Sequence, residues 1–246
     1  MRPCRCSVFG YASNIWQPVD GDWNGSYSDV RHWSNGHLPD MNANGGGDKG
    51  EDAIFTCQDF DYTVTIDCVI GEDDVPLPQF FKIGYERDAG GGSGWVRFDG
   101  SGTVRQNQSG SQLIYPTNQV EFAGNLTIGS GWFSVNKGAS LRFAENCATT
   151  NGTLTLYDGS TLEIAGGNLR TGLSFKEYES GSVRVTGGSV VLSTALSDEA
   201  IPPRCDFSFT GGRISVRARE VRTLFPARNG CSDEYDQLDR CDSGHQ

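Results

Sequence analysis

Between Val120 and Leu192 the apolar residues come as short pairs flanking one other residue. They are Val120-Glu-Phe122, Leu126-Thr-Ile128, Phe133-Ser-Val135, Leu141-Arg-Phe143, Leu154-Thr-Leu156, Leu162-Glu-Ile164, Val183-Arg-Val185 and Val190-Val-Leu192. Alternation with period two marks a strand with one buried face. The first apolar residues are evenly spaced: Leu126 to Phe133 is 7, Phe133 to Leu141 is 8, Leu154 to Leu162 is 8 and Leu162 to Leu169 is 7. A strand and a sharp corner at that interval, three to a turn, predict a coil of roughly 22 residues, in the range of repeat architectures. The expected fold is all-β, a parallel β-helix (β-solenoid), right-handed because parallel crossovers strongly favour that hand. The solenoid is expected over 76–224, after an N-terminal Trp-rich region with the first strands (1–75) and before an acidic tail (225–246). Its inward set is Val120, Phe122, Leu126, Ile128, Leu141, Phe143, Leu154, Leu156, Leu162, Ile164, Val183, Val185, Val190, Leu192, Ile214 and Val216.

Glycine, 33 of 246 residues, fits such a chain through its corners, since tight turns use conformations other residues resist. A net charge of −11 argues against nucleic acid as a partner, because phosphate binding needs a basic face. No apolar run reaches the ~18 residues of a membrane helix. Of the eight cysteines, Cys57 with Cys68 and Cys231 with Cys241 are spaced to close short loops, and disulfides there would imply an oxidising compartment. Cys147 and Cys205 interrupt the strand spacing, so a bridge between neighbouring excursions is one arrangement open to them. Partners for Cys4 and Cys6 stay open. Sequons at Asn24, Asn107, Asn125 and Asn151 permit glycosylation. Met1–Gly10 has basic residues but no apolar signal-peptide core. That leaves another export route, an internal start, or a cytosolic protein with free thiols.

Residues 11–75 hold Trp16, Trp23 and Trp33 in the order Trp16, Asp20-Gly21-Asp22-Trp23, His32-Trp33, Pro39, then Asp52-Ala53-Ile54-Phe55. This string resembles the opening of bacterial surface β-helix proteins of the autotransporter-passenger-like type. His32 stands where those often have Asn, and 42–50 enlarges the loop between Pro39 and Asp52. The resemblance implies an extracellular or cell-surface location. Large aromatics at the start of a solenoid suit a cap over its open end. The alternative is a platform on which Trp16, Trp23 and Trp33 stack a sugar.

Asp40, Asn42, Asn44 and Glu51, with Gly45 at the turn position, match the calcium-loop spacing D-x-[DN]-x-[DN]-G-x5-E. Neither flank reads as helical, so calcium is expected only as an ion ordering a loop. Hydrolysis of a polysaccharide needs two carboxylates across a groove; Asp73, Asp74, Glu163, Glu177 and Glu179 are candidates. The Asn-Thr-Asp, Asp-Asp and His-Gly set of parallel β-helix polygalacturonases is absent, as is Gly-x-Ser-x-Gly. Gly90–Gly94 lacks the Lys of a phosphate loop. Lys82, Arg97, Arg142, Arg184 and Arg217 alternate with apolar residues and are expected on solvated strand faces. The expected function is a structural or adhesive scaffold without a catalytic residue. The alternatives are a carbohydrate-binding or carbohydrate-cleaving β-helix, with polysaccharide as partner, and a self-associating filament subunit.

Overall fold

The computed structural model describes residues 12–43, 50–72, 74–84, 92–105, 111–129, 131–149, 152–175, 181–192 and 205–216. The N-terminal strands are β1 (Ala12–Ile15), β2 (Gly25–Ser26), β3 (Glu51–Phe55), β4 (Tyr62–Thr65), β5 (Phe81–Ile83), β6 (Trp95–Asp99), β7 (Thr103–Val104) and β8 (Ser111–Ile114). The middle coils contain β9 (Gln119–Phe122), β10 (Thr127–Ile128), β11 (Gly131–Val135), β12 (Ser140–Phe143), β13 (Ala148–Thr149), β14 (Gly152–Leu156) and β15 (Ser160–Ile164). β16 (Asn168–Phe175), β17 (Gly181–Val185), β18 (Ser189–Leu192), β19 (Cys205–Phe209) and β20 (Arg213–Val216) complete the set. Every pairing between these strands is parallel, and the result is a parallel β-solenoid. A 3-10 turn spans Val30–His32.

One face stacks β2, β4, β6, β9, β12, β15, β17 and β19. A second stacks β1, β3, β5, β8, β11 and β14, and a third carries the short strands β7, β10 and β13. β16 belongs to both of these: Asn168–Thr171 pair with β18, while Gly172–Phe175 pair with β14. Val120 pairs with Leu141, Leu141 with Leu162 and Leu162 with Val183. Each step is 21 residues (141 − 120, 162 − 141, 183 − 162), close to the length the sequence predicts. Among the described residues the sheets begin at β1 and β2, inside the Trp-rich N-terminal region. The segment around Cys147, expected to interrupt the strand spacing, instead supplies at 145–149 a tight corner and β13, a regular part of the coil.

The core is the inner column of each face. Val64, Phe98, Phe122, Phe143, Ile164 and Val185 follow one another in register and are buried. Of the expected inward set, every member with a described side chain is buried except Ile214, which is half-buried. The side chains of Leu192 and Val216 lie outside the described residues. A slip of one residue would turn all of them outward, so this burial fixes the register.

Corners repeat with the coil. Thr117, Gly138 and Gly159 have φ of 64°, 69° and 68° at the same place in successive coils. A β-branched side chain is strained in this left-handed region, by roughly 1–2 kcal/mol. Thr117→Gly is therefore expected to raise stability by about 0.5–1 kcal/mol, since added unfolded-state freedom offsets part of the relief. Urea unfolding checks this, and a loss of stability would contradict it.

Candidate functional site

The outward residues of the first face form a ladder of alternating charge. Arg97, Glu121, Arg142, Glu163 and Arg184 are register partners in turn, each the centre of an apolar pair that fixes its neighbours inward. Strands about 4.8 Å apart bring each side chain within reach of the next. Arg97 pairs with Glu121, with Asp99 at 2.9 Å and with Glu145 at 2.6 Å. Arg142 meets Glu121 at 2.9 Å and Glu163 at 3.4 Å. Burial works against the Arg97 charge, yet the hydrogen bonds it donates to Glu145 and Asp99, with the Glu121 charge beside them, hold its guanidinium above its ordinary range. Glu145 occupies a left-handed corner position at φ 55°, and its second oxygen accepts from the Gly124 amide at 2.9 Å. Arg97 and Arg142 are thus ion-paired ladder members rather than isolated solvated side chains, and Lys82 is half-buried on Asp52 at 2.7 Å. Arg184 is exposed, and Arg217 lies outside the described residues.

A second cluster closes around Glu51 at the start of β3. Its carboxylate is buried and accepts from Asn35 Nδ2 at 2.9 Å and Asn14 Nδ2 at 3.4 Å. His37 Nε2 lies 3.0 and 3.1 Å from its two oxygens. Asp40 Oδ1 accepts from the Asn42 amide at 2.8 Å, a local turn. Of the calcium-loop set, then, Glu51 faces two amides and an imidazole, Asp40 braces its own loop, Asn42 is exposed, and Asn44 lies outside the described residues. Among the described residues no three His, Cys, Asp or Glu side chains gather as metal ligands would.

Trp16 and Trp33 are packed inside the coil and Trp23 is half-buried. Trp16 is stacked on His32 at 4.3 Å and edge-on to Trp33 at 5.3 Å. Trp16 Nε1 donates to the Trp23 carbonyl and Trp33 Nε1 to the Tyr27 carbonyl. No ring face of either is left for a sugar, and Trp23 packs on Tyr62 at 5.4 Å. The polar ends of the indoles explain why such large residues sit inside.

The expected Cys57–Cys68 disulfide is not formed: both thiols are free. Strand β4 runs between them in extended form, at about 3.3 Å per residue, and carries them beyond the ~7 Å Cα separation that a bridge tolerates. Cys57 Sγ instead lies 3.3 Å from the Gln119 amide and 3.4 Å from its carbonyl. Cys147 is a third free thiol, buried at an inner corner, where burial pushes its pKa up to about 12. Cys231 and Cys241 lie outside the described residues, as do Cys4, Cys6 and the Cys205 side chain.

Of the carboxylates considered for hydrolysis, two fall among the described residues. Glu163 faces Arg142 and Asp74 is exposed; Asp73, Glu177 and Glu179 lie outside the described residues. Of the sequons, Asn24 accepts from the Thr63 amide at 2.7 Å, and Asn125 is exposed with its Oδ1 accepting from Asn146 at 3.1 Å. Asn107 and Asn151 fall outside. Among the described residues no helix is long and apolar enough to cross a membrane.

Stacked parallel coils, an apolar inner column and an ion-paired outer ladder define the class: a parallel β-solenoid. Comparison with models of known protein families, with curated proteins and with solved structures finds no match to this chain.

Proposed function

We propose that the chain is an extracellular or cell-surface β-solenoid acting as a structural and adhesive scaffold, not as a catalyst. The observation that supports this reading is the ladder from Arg97 to Arg184, whose ionisable groups follow one another along the axis in place of converging on one point. In such a scaffold Trp16 and Trp33 close the first coil against water, and the partner is a polysaccharide surface or a second copy of the chain. A fold of this kind hosts many activities, so the function rests on the side chains and not on the architecture.

The purified protein is expected to leave a panel of acidic and neutral polysaccharides uncleaved, with or without calcium, while co-sedimenting with at least one insoluble glycan or with itself. Reproducible cleavage that Asp73→Ala and Asp74→Ala abolish would overturn the scaffold reading in favour of a carbohydrate-cleaving enzyme.

A further inference from the structure

Asp52 and Lys82 make a contact that the scaffold reading does not require. They point outward from β3 and β5, adjacent parallel strands with Ile54 opposite Lys82. Lys82 Nζ lies 2.7 Å from Asp52 Oδ2, with the Asp52 side chain 3% and the Lys82 side chain 17% exposed. The Phe80 backbone beside it favours the charged form of the same carboxylate, and the Phe80 ring lies 5.1 Å from Nζ. Asp52 Oδ1 is buried and has no hydrogen-bond partner. Two charges removed from water this completely carry a large desolvation penalty, and an oxygen left without a donor adds to it.

We propose that Asp52 and Lys82 are a modification site, at which the two side chains condense into an intramolecular amide that staples β3 to β5. Burial favours the uncharged carboxyl of Asp52, raising its pKa against the opposing pull of Lys82. One proton passes from Nζ to Oδ2 across their hydrogen bond. The amine lone pair then attacks Cγ, the Cγ–Oδ2 bond breaks, and Oδ2 leaves as water carrying two protons that were on Nζ. One hydrogen stays on the amide nitrogen, and Oδ1 becomes the amide carbonyl oxygen. Nothing is oxidised or reduced. Two groups held at contact distance by a rigid sheet react with effective molarities of order 10⁵–10⁸ M in well-oriented cases, which is what drives a condensation that free amine and acid do not undergo. The product replaces two buried charges by a neutral group.

This inference stands apart from the proposed function, and its test reads covalent structure alone. The intact full-length chain, denatured and measured by mass spectrometry, is expected to fall short of its sequence mass by one water. Lys82→Arg keeps a cation beside Asp52 but presents no amine of the same reactivity, and is expected at full mass with an unchanged far-ultraviolet circular dichroism spectrum. Asp-Gly sequences such as Asp99-Gly100 lose the same mass by cyclising, so location decides. Chymotryptic cleavage within 55–80 should leave the segments carrying Asp52 and Lys82 joined as one branched species. Full mass in the unsubstituted chain, or a water loss that persists in Lys82→Arg, would overturn the staple and leave an ion pair.

Discussion

Phe122→Ala is expected to lower stability by about 3–5 kcal/mol, the usual range for emptying a buried phenylalanine site. Phe122 is 1% exposed and stands in the middle of a column of rings. Phe98 is 5.2 Å from it and nearly parallel, Phe143 is 5.8 Å away on the other side, and Phe133 meets it edge-on at 5.7 Å. Aromatic pairs of this kind add about 0.5–1.5 kcal/mol beyond their area. The solenoid cannot collapse onto the hole easily, because each coil is held at a fixed height by ladders above and below. Since each coil touches only its neighbours, a weak coil also divides the stack. Urea unfolding of Phe122→Ala should therefore broaden, separating the coils before β9 from those after it. Phe122→Leu keeps most of the apolar volume and should lose less than half as much. A loss below about 1.5 kcal/mol for the alanine variant would mean that the column relaxes into the space, against the packing argued here.

The column was legible in the sequence because it obeys a rule that needs no tertiary knowledge. Two apolar residues one apart, repeated every 7–8, leave one way to bury both. The ladder was legible too, though only as scattered cations: the centres of successive triplets, Arg97, Glu121, Arg142, Glu163 and Arg184, alternate in sign. Stacking those triplets coil on coil gives the pairing at once. Contacts from beyond the strand pattern were not readable. Glu51 fits a calcium spacing, but its partners Asn14, Asn35 and His37 come from up to 37 residues away, and spacing within one loop carries no information about them. The Cys57–Cys68 pairing failed for a related reason. Closeness along the chain stands for closeness in space only where the chain folds back, and β4 runs straight between these two. The Trp16 and Trp33 indoles were ambiguous because a packed ring and a ligand-binding ring have the same composition; only the structure shows that these two are buried.

The corners allow a matched test of what glycine does in this fold. Gly138 and Gly167 have similar positive φ, 69° and 77°, so an alanine at either carries the same left-handed strain of about 1–2 kcal/mol. Their surroundings differ. A Cβ on Gly138 would meet nothing within 4 Å, whereas one on Gly167 would lie 2.0 Å from the Cys147 carbonyl oxygen. That oxygen accepts the Asn168 amide at 2.9 Å, and the Gly167 carbonyl accepts the Ser189 amide at 2.8 Å. A methyl group at Gly167 therefore pushes two coils apart where backbone hydrogen bonds join them, and backbone does not swing aside as a flexible side chain would. Gly138→Ala is expected to lose about 0.5–1 kcal/mol, the strain less the unfolded-state freedom that alanine removes, and Gly167→Ala at least about 2 kcal/mol, because overpacking is added to it. Hydrogen exchange should locate the damage: amides of Asn168 and Ser189 lose protection in Gly167→Ala but keep it in Gly138→Ala. Equal losses for the two variants would mean that φ alone sets the need for glycine, and that the coils are not in contact at this corner.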